Sequence, residues 1–408
     1  MKFLRILHTS DWHIGKKLKE HDRADEFRKF FAWLEDVVDR EKPGAIIVAG
    51  DVFDSRNPSA ESQEMYYSFF GKIAGGERSC RNAVIISGNH DSPALIDAPA
   101  GVMGRCNIHV IGRSREDEII TLTDSDGKPE MIVCAVPFLH DSELRTANAG
   151  DTFEDITRKI QEGIKNHYAG IFARAREIRG DYDIPIVAAG HLFLEAGKTR
   201  TDEGERSMYL GTAVKVGTDI FPDDIAYIAL GHLHSPQAVG RANIRYSGSP
   251  IALTFGEWGV PKTVSIVDFD GRNFAGVREI EIPMWQKMKR ISGDMAKIEA
   301  DLRGLMSLNE SVWAEVTYTG DTQPGDIQQE LEGIVKGSAV EVISIIDKGE
   351  YISVNDDGFG GKTLDDIDPV KMLRRKMDSM KIPEEKRTKM EELYGEILRE
   401  ISSEEKLS

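Results

Sequence analysis

The chain has 408 residues, 40% of them hydrophobic and 30% charged, a globular composition too long for one ordinary core, so two to three domains are expected. No apolar run approaches the ~20 residues needed to span a bilayer, and no leader is expected, because the first strand and its Asp11 begin almost at once. A net charge of −17 argues against a protein that grips nucleic acid alone through a broad basic surface, since neutralising phosphates supplies most of that affinity.

Local basic patches occur at Lys16, Lys17 and Lys19 and at Lys371, Arg374, Arg375 and Lys376, each of which by itself reads as a solvated face. The three cysteines, Cys80, Cys106 and Cys134, are odd in number and lack CxxC spacing. They point to a reducing cytoplasm and to small hydrophobes or inert thiols, not to ligands.

In chain order, the first element is Phe3–His13 (FLRILHTSDWH), an apolar run that hands over to Asp11 and His13. A helix follows at Asp22–Arg40, with Phe27, Phe30, Phe31, Leu34, Val37 and Val38 on one face and Lys42-Pro43-Gly44 ending it. Ala45–Asp54 (AIIVAGDVFD) repeats the first pattern and leads to Asp51. The next helix, Ser59–Ala74, carries Met65, Tyr66, Phe69 and Phe70, which suit either core or a dimer surface. Ala83–Asp91 (AVIISGNHD) then delivers Asn89, His90 and Asp91.

A strand is expected at Met131–Pro137 and a long helix at Asp151–Arg179, striped by Phe153, Ile156, Ile160, Ile164 and Ile171. Ile184–His191 and Ile225–His234 end on His191 and on the pair His232 and His234. Ile244–Ser247, Thr263–Phe269 and Val277–Ile282 read as further strands. Short β-branched runs bounded by turn formers are buried strands, and strands with helices packed outside them give a layered α/β core.

After Pro283 the pattern changes: Ala296–Met306 reads as helix, Val312–Tyr318 as strand, Gly325–Val335 as helix and Val340–Ile346 as strand. The expected division is 1–280, a small α+β unit at 284–350, and 351–408. Asn355–Lys362 (NDDGFGGK) reads as a linker, and Pro369–Met380 and the segment opened by Pro383 as two helices. In the second, Met390, Leu393, Tyr394, Ile397, Leu398 and Ile401 make an apolar stripe. It suits its own core or a partner equally.

The chemistry lies at the strand ends, where sheet-based folds place their sites. Asp11 and His13 are two apart, as are His232 and His234, so each pair can reach one centre or two adjacent ones. Asp51, Asn89 and His191 each follow a glycine that permits a sharp turn. Carboxylate, amide oxygen and imidazole without thiolate suit manganese, iron or zinc in octahedral-like coordination. His8, His21, His109, His140 and His167 lack such a setting and read as structural or surface residues.

The ordered motifs SDWH, GDVFD, GNHD, GH and GHLH, from Asp11 to His234, resemble the calcineurin-like metallophosphoesterase superfamily. The resemblance implies a layered β-sandwich flanked by helices, with a small α+β cap and C-terminal helices. It implies one metal held by Asp11, His13 and His234, another by Asn89, His191 and His232, and Asp51 bridging both. His90 would be the general acid, with Asp91 beside it to orient the imidazole. Two cations about 3.5–4 Å apart clamp a phosphate and activate a water, and the hydroxide attacks phosphorus in line with the leaving oxygen.

Within the superfamily, GDVFDSRNPS departs from the form typical of Ser/Thr protein phosphatases. The N-terminal HTSDWHIGK, the sequence YSGSP at Tyr246–Pro250, the cap and the terminal helices together resemble the break-repair nucleases of bacteria, archaea and eukaryotes. That likeness implies a manganese-dependent DNA nuclease, exonucleolytic from 3′ ends and endonucleolytic on hairpins or blocked ends. It also implies a homodimer and a coiled-coil ATPase docked on the terminal helices. Archaeal relatives commonly carry His where this chain has Asp54, so Asp54 is expected beside the ligands rather than among them. A small-molecule phosphodiesterase and a non-catalytic scaffold are the rival readings. The partner-sized tail argues against the first and an intact His90 against the second.

Overall fold

A computed structural model describes residues 4–74, 80–115, 118–144, 152–197, 214–320 and 327–349, together with Arg374, Met377, Arg387, Met390 and Tyr394. The expected linker at Asn355–Lys362 and nearly all of the two terminal helices lie outside the described residues. Met1–Gly320 with Pro324–Lys348 form one compact unit.

Two six-stranded sheets make the centre of that unit. The first contains β1 (Leu4–Thr9), β2 (Ala45–Ala49), β3 (Asn82–Ile86), β4 (Ile108–Ile111), β11 (Thr263–Asp270) and β12 (Asn273–Glu281), in the order β12-β11-β1-β2-β3-β4. The second contains β5 (Ile119–Thr123), β6 (Pro129–Ala135), β7 (Ile186–His191), β8 (Tyr227–Gly231), β9 (Gln237–Val239) and β10 (Arg241–Tyr246), in the order β5-β6-β7-β8-β10-β9. Alternation along each strand sorts the side chains by face. Ile6, Ile47, Val84 and Ile86 meet Met131, Val133, Val187 and Ala189 in a core shared by the sheets.

The other faces carry the helices. Leu7, Ile46, Val48 and Ile85 pack under α1 (Ala24–Glu41) and α2 (Ala60–Ala74), with Phe30, Phe31, Tyr66, Phe69 and Phe70 filling the layer. Tyr66, Phe69 and Phe70 of α2 are therefore core, while Tyr67 faces outward. Short helices α3 (Pro93–Asp97), α4 (Ala100–Met103) and α5 (Asp141–Leu144) lead to α6 (Phe153–Arg179), which covers the second sheet. Thr152 caps α6 by accepting from the Asp155 N–H, while the Asp155 carboxylate accepts from the Thr152 N–H. The layered α/β architecture expected from the strand and helix pattern is the one observed.

β13 (Lys287–Gly293), β14 (Val312–Tyr318) and β15 (Val340–Asp347) form a separate parallel sheet. The helices Met295–Met306 and Ile327–Val335 make its crossovers, burying Ile298, Leu302 and Leu331. This sheet seats on the sandwich through a cluster of Leu18, Phe255 and Met288, with Trp258, Trp313 and Ile343 partly buried around them.

What positions the site is strand direction. β1, β2 and β3 are mutually parallel, and so are β6, β7 and β8. Every motif segment therefore leaves its sheet at the carboxyl end of a parallel strand, and the two sets of ends meet at one edge of the sandwich.

Candidate metal centre

The first loop is built around Trp12. Its indole lies among Phe30, Phe31, Phe69 and Phe70, with ring centroids 5.2–6.1 Å away, and Nε1–H donates to Thr9 Oγ1 at 2.9 Å. With Trp12 locked into the helix layer, its neighbours Asp11 and His13 emerge on the other side. The cost is local strain, because Asp11, His13, Asp51 and His232 have φ of 50°, 48°, 48° and 102°, a region that non-glycine residues avoid. Cross-loop backbone bonds hold this geometry: the N–H groups of Asp11, His13 and Ile14 donate to the carbonyls of Gly50, Asp51 and Val52.

Asp51 is the hub. Its Oδ2 lies 3.5 Å from His13 Nε2 and 3.4 Å from His191 Nε2, and its Oδ1 accepts from the His90 N–H at 2.8 Å. His191 Nδ1 donates to the Ala49 carbonyl at 2.9 Å, which turns its Nε2 toward Asp51 and toward Asn89 Oδ1 at 3.1 Å. Asn89 Oδ1 is also 3.1 Å from His232 Nδ1. On the other side, Asp11 Oδ1 accepts from the His232 N–H at 2.8 Å, and the His13 and His234 rings stand 5.1 Å apart.

The structure thus brings all seven expected ligand residues together. Asp11, His13 and His234 present ligand atoms within 4.8 Å of one another, as do Asp11, Asp51 and His191, and also His13, Asp51 and His90. These residues fit a pair of cations on a physical ground: both nitrogens of the fully buried His13 ring lack an aligned hydrogen-bond partner. Buried polar atoms are rarely left that way without an ion or water to meet them.

Charge inside the cluster is polarised. Burial would raise the Asp51 carboxyl, but His191, His13 and His90 outweigh it and hold the group below the usual carboxylate range. Burial would lower His191, but Asp51 and Asp11 push it up to about 9. His13 and His232 are driven down by burial. An ionised Asp51 beside the neutral imidazoles of His13 and His232 is part of the donor set a divalent ion requires. His191, by contrast, must give up its Nε2 proton for an ion to bind there.

His90 is half-buried beside His13, with ring centroids 4.8 Å apart, and its Nδ1 contacts the Asp54 carbonyl at 3.2 Å. That contact commits one ring nitrogen to the protein. Asp91 does not do what its position beside His90 suggests. Its carboxylate accepts from the N–H groups of Val52, Phe53 and Gly88 at 3.1, 2.9 and 2.8 Å, so it ties the β2 and β3 loops together rather than holding the imidazole. Burial and the charge of Asp51 push the Asp91 carboxyl up to about 7. The side chain of Asp54 contacts His13 Nδ1 at 3.3 Å and Lys16 Nζ at 3.1 Å, beside the cluster as expected.

Sequence reading missed Glu257 and Lys262. Glu257 Oε1 lies 3.2 Å from His234 Nδ1, and Lys262 Nζ donates to Glu257 Oε2 at 2.6 Å. Both partners pull the Glu257 carboxyl down against its burial, and Glu257 in turn raises His234. No spacing in TFGEWGVPK marks this pair, which forms only when the loops after β8 and β10 close on each other. The other five histidines join no grouping of candidate ligand atoms among the described residues. His8, for example, is buried with Nδ1 2.9 Å from Tyr227 Oη and is lowered to about 3 by burial. Cys80 and Cys134 are buried, Cys106 is exposed, and no disulfide joins any of them.

A cleft of about 630 Å3 opens beside His191 and His232, edged by Arg56, Arg113, Phe138, His140 and Phe193. Lys215 Nζ stands 4.6 Å over the Phe193 ring. Cations and flat rings next to the candidate metal cluster give room for a phosphate and its substituents.

The family model of calcineurin-like phosphoesterases matches residues 4–236, more than half of the chain. The SbcD protein of Escherichia coli K12, one of the subunits of the nuclease SbcCD, is 30% identical over 404 residues, covering 98% of this chain and 99% of its own. The chain belongs to the SbcD family of calcineurin-like phosphoesterases. SbcD relatives from Rhodobacter capsulatus and Bacillus subtilis are 35% and 36% identical, over 71% and 65% of this chain and 71% and 66% of their own. The SbcD_C model, described as a type 5 capsule protein repressor C-terminal domain, matches residues 284–381. Family and cluster agree on a metal-dependent phosphodiester hydrolase.

Proposed function

We propose that this chain is the metal-dependent nuclease subunit of an SbcCD-type complex, cutting DNA as a 3′–5′ exonuclease and as an endonuclease at hairpins and blocked ends. The observation that carries this reading is nearly end-to-end similarity to a nuclease subunit in a chain that gathers Asp11, His13, Asp51, His90, His191 and His234 into overlapping groups of candidate ligand atoms. Manganese fits the mix of carboxylate, amide and imidazole donors. Asp11, His13 and His234 would hold one ion, Asn89, His191 and His232 the other, with Asp51 between them. The chemistry such a pair supplies when bound is water activation at neutral pH and charge neutralisation at phosphorus.

The chain's own residues do the rest. The Nδ1–H of His191 donates to Ala49 and that of His234 to Glu257, so both rings are pre-turned with Nε2 toward the cluster. His90 is the acid: its imidazolium gives the Nε2 proton to the leaving oxygen and ends as the Nδ1–H tautomer that the Asp54 carbonyl accepts from. A positioned acid of this kind contributes roughly 10²–10⁴-fold. Arg56 lines the cleft as the cation placed to meet a phosphate, while Arg113 beside it pairs with Asp97 at 3.3 Å.

Residues 284–350 act as a cap that presents DNA, and the segment Pro369–Ile401, where the sequence pattern calls for two helices, docks on an SbcC-type coiled-coil ATPase. The chain works as a homodimer in the cytoplasm. The apolar stripe from Met390 to Ile401 supports the docking tail, and the SbcD_C match over 284–381 supports the cap. The unbridged thiols support the cytoplasm, and the homodimer rests on the family likeness.

Manganese-dependent digestion of labelled hairpin and duplex DNA, beside a small chromogenic phosphodiester, tests the substrate. Cleavage of DNA is expected, and cleavage of the small ester alone would move the chain to a small-molecule phosphodiesterase. Removing the residues after Asn355 should spare cleavage of short ends and abolish co-purification with the ATPase. A truncated chain that still captures it would remove the tail from the interface.

A further inference from the structure

Glu257 sits on the 3-10 turn Phe255–Glu257 and is 1% exposed, a burial that carboxylates reach only when paired. All its contacts are internal. Oε1 faces His234 Nδ1 at 3.2 Å, and Oε2 accepts from Lys262 Nζ at 2.6 Å, the Leu253 N–H at 3.1 Å and Ser249 Oγ at 3.2 Å. Lys262 is buried as well, at 7% exposed. Its ammonium donates to the His234 carbonyl at 2.9 Å and to Ser249 Oγ at 2.8 Å, besides Glu257. One ion pair therefore grips His234 at both its ring and its backbone.

Stability alone is a weak reason for such a pair, since apolar replacement of buried ion pairs is often neutral or better. What apolar packing could not do is place an acceptor on His234 Nδ1. An acceptor there puts the imidazole proton on Nδ1, leaves the Nε2 lone pair for the cluster and fixes the ring plane. The same turn faces two ways, because Phe255 packs with Leu18 and Met288 beneath the third sheet. The support of His234 thus rests on that sheet as well as on the sandwich.

We propose that Glu257 is a positioning residue that sets the tautomer and orientation of His234, and that Lys262 holds it in that role. The proposal rests on His234 being a metal ligand, as read above. Its test is manganese binding by isothermal titration of the full chain, wild type beside Glu257→Gln, Lys262→Met, His234→Ala and the double variant of Glu257→Gln with His234→Ala. Folding is followed by circular dichroism.

Glu257→Gln is expected to weaken one of two binding events by about 10–100-fold, the usual effect of losing a ligand's hydrogen-bond partner, and to leave the other unchanged. Lys262→Met should weaken the same event. Adding Glu257→Gln to His234→Ala should cost nothing further. Wild-type affinity at both events in a folded Glu257→Gln protein overturns the proposal, as does equal weakening of both, which marks a general structural role. A His234→Ala protein that binds both ions like wild type overturns instead the ligand reading on which the proposal stands.

Discussion

His191 and His234 both turn Nε2 toward the cluster, yet they are held by different chemistry. His191 leans on the Ala49 carbonyl, a backbone atom fixed at the end of β2. His234 leans on Glu257, a side chain carried by a turn outside both sheets of the sandwich. The first anchor cannot be deleted by any single side-chain change, but it demands space. Gly50 has φ +89°, and a Cβ there would lie 2.3 Å from His191 Nδ1, while one at Gly231 would lie 2.0 Å from the Ala49 oxygen. The second anchor tolerates its surroundings but is one carboxylate deep. One half of the centre is therefore fixed by the fold, and the other by a replaceable side chain.

Substitutions can break or sharpen that contrast. Trp12→Ala removes the plug under the first loop and should cost about 3–5 kcal/mol, as large aromatic truncations in cores do. Because both Asp11 and His13 depend on that plug, metal should be lost with stability, read by calorimetry and metal analysis. A normal melting temperature would show that the loop is held by its backbone bonds alone. Gly50→Ala should come next: strain at positive φ costs about 1–3 kcal/mol, and the new methyl group displaces His191. Here again stability and metal should fall together, whereas Glu257→Gln should separate them.

The smallest effect is expected at Asp54, whose side chain is 25% exposed and meets His13 Nδ1 at 3.3 Å without hydrogen-bond alignment. Asp54→Ala keeps the carbonyl that His90 uses, so metal affinity should fall less than about tenfold, below the range for a well-made outer partner. A larger loss would put Asp54 on a par with Glu257.

The strand ends and the polar residues they bring together were legible because the signal is local. An apolar run, a glycine and a polar residue describe both the strand and the turn that aims the side chain, as at Gly50-Asp51 and Gly190-His191. What was not legible depends on contacts between distant loops. Asp91 looks like a partner for His90 because they are adjacent, but its carboxylate reaches Val52 and Phe53 across the gap to β2. Glu257 looks like any other acid in a turn until Lys262 and His234 close around it. β13 escaped for a different reason: its buried residues, Met288 and Ile291, are three apart and flanked by lysine and arginine, which hides a strand's alternation. The aromatics of α2 were ambiguous between core and interface until the sheet beneath them was in place.

The central claim is that seven residues bind metal and one, His90, moves a proton. The most direct measurement pairs metal stoichiometry with DNA cleavage in wild type and His90→Gln. The account predicts two manganese ions per chain in both proteins and cleavage of duplex ends slower by roughly 10²–10⁴-fold in the variant. Loss of an ion from the variant would make His90 a ligand, and full-rate cutting would leave the reaction without the acid assigned to it.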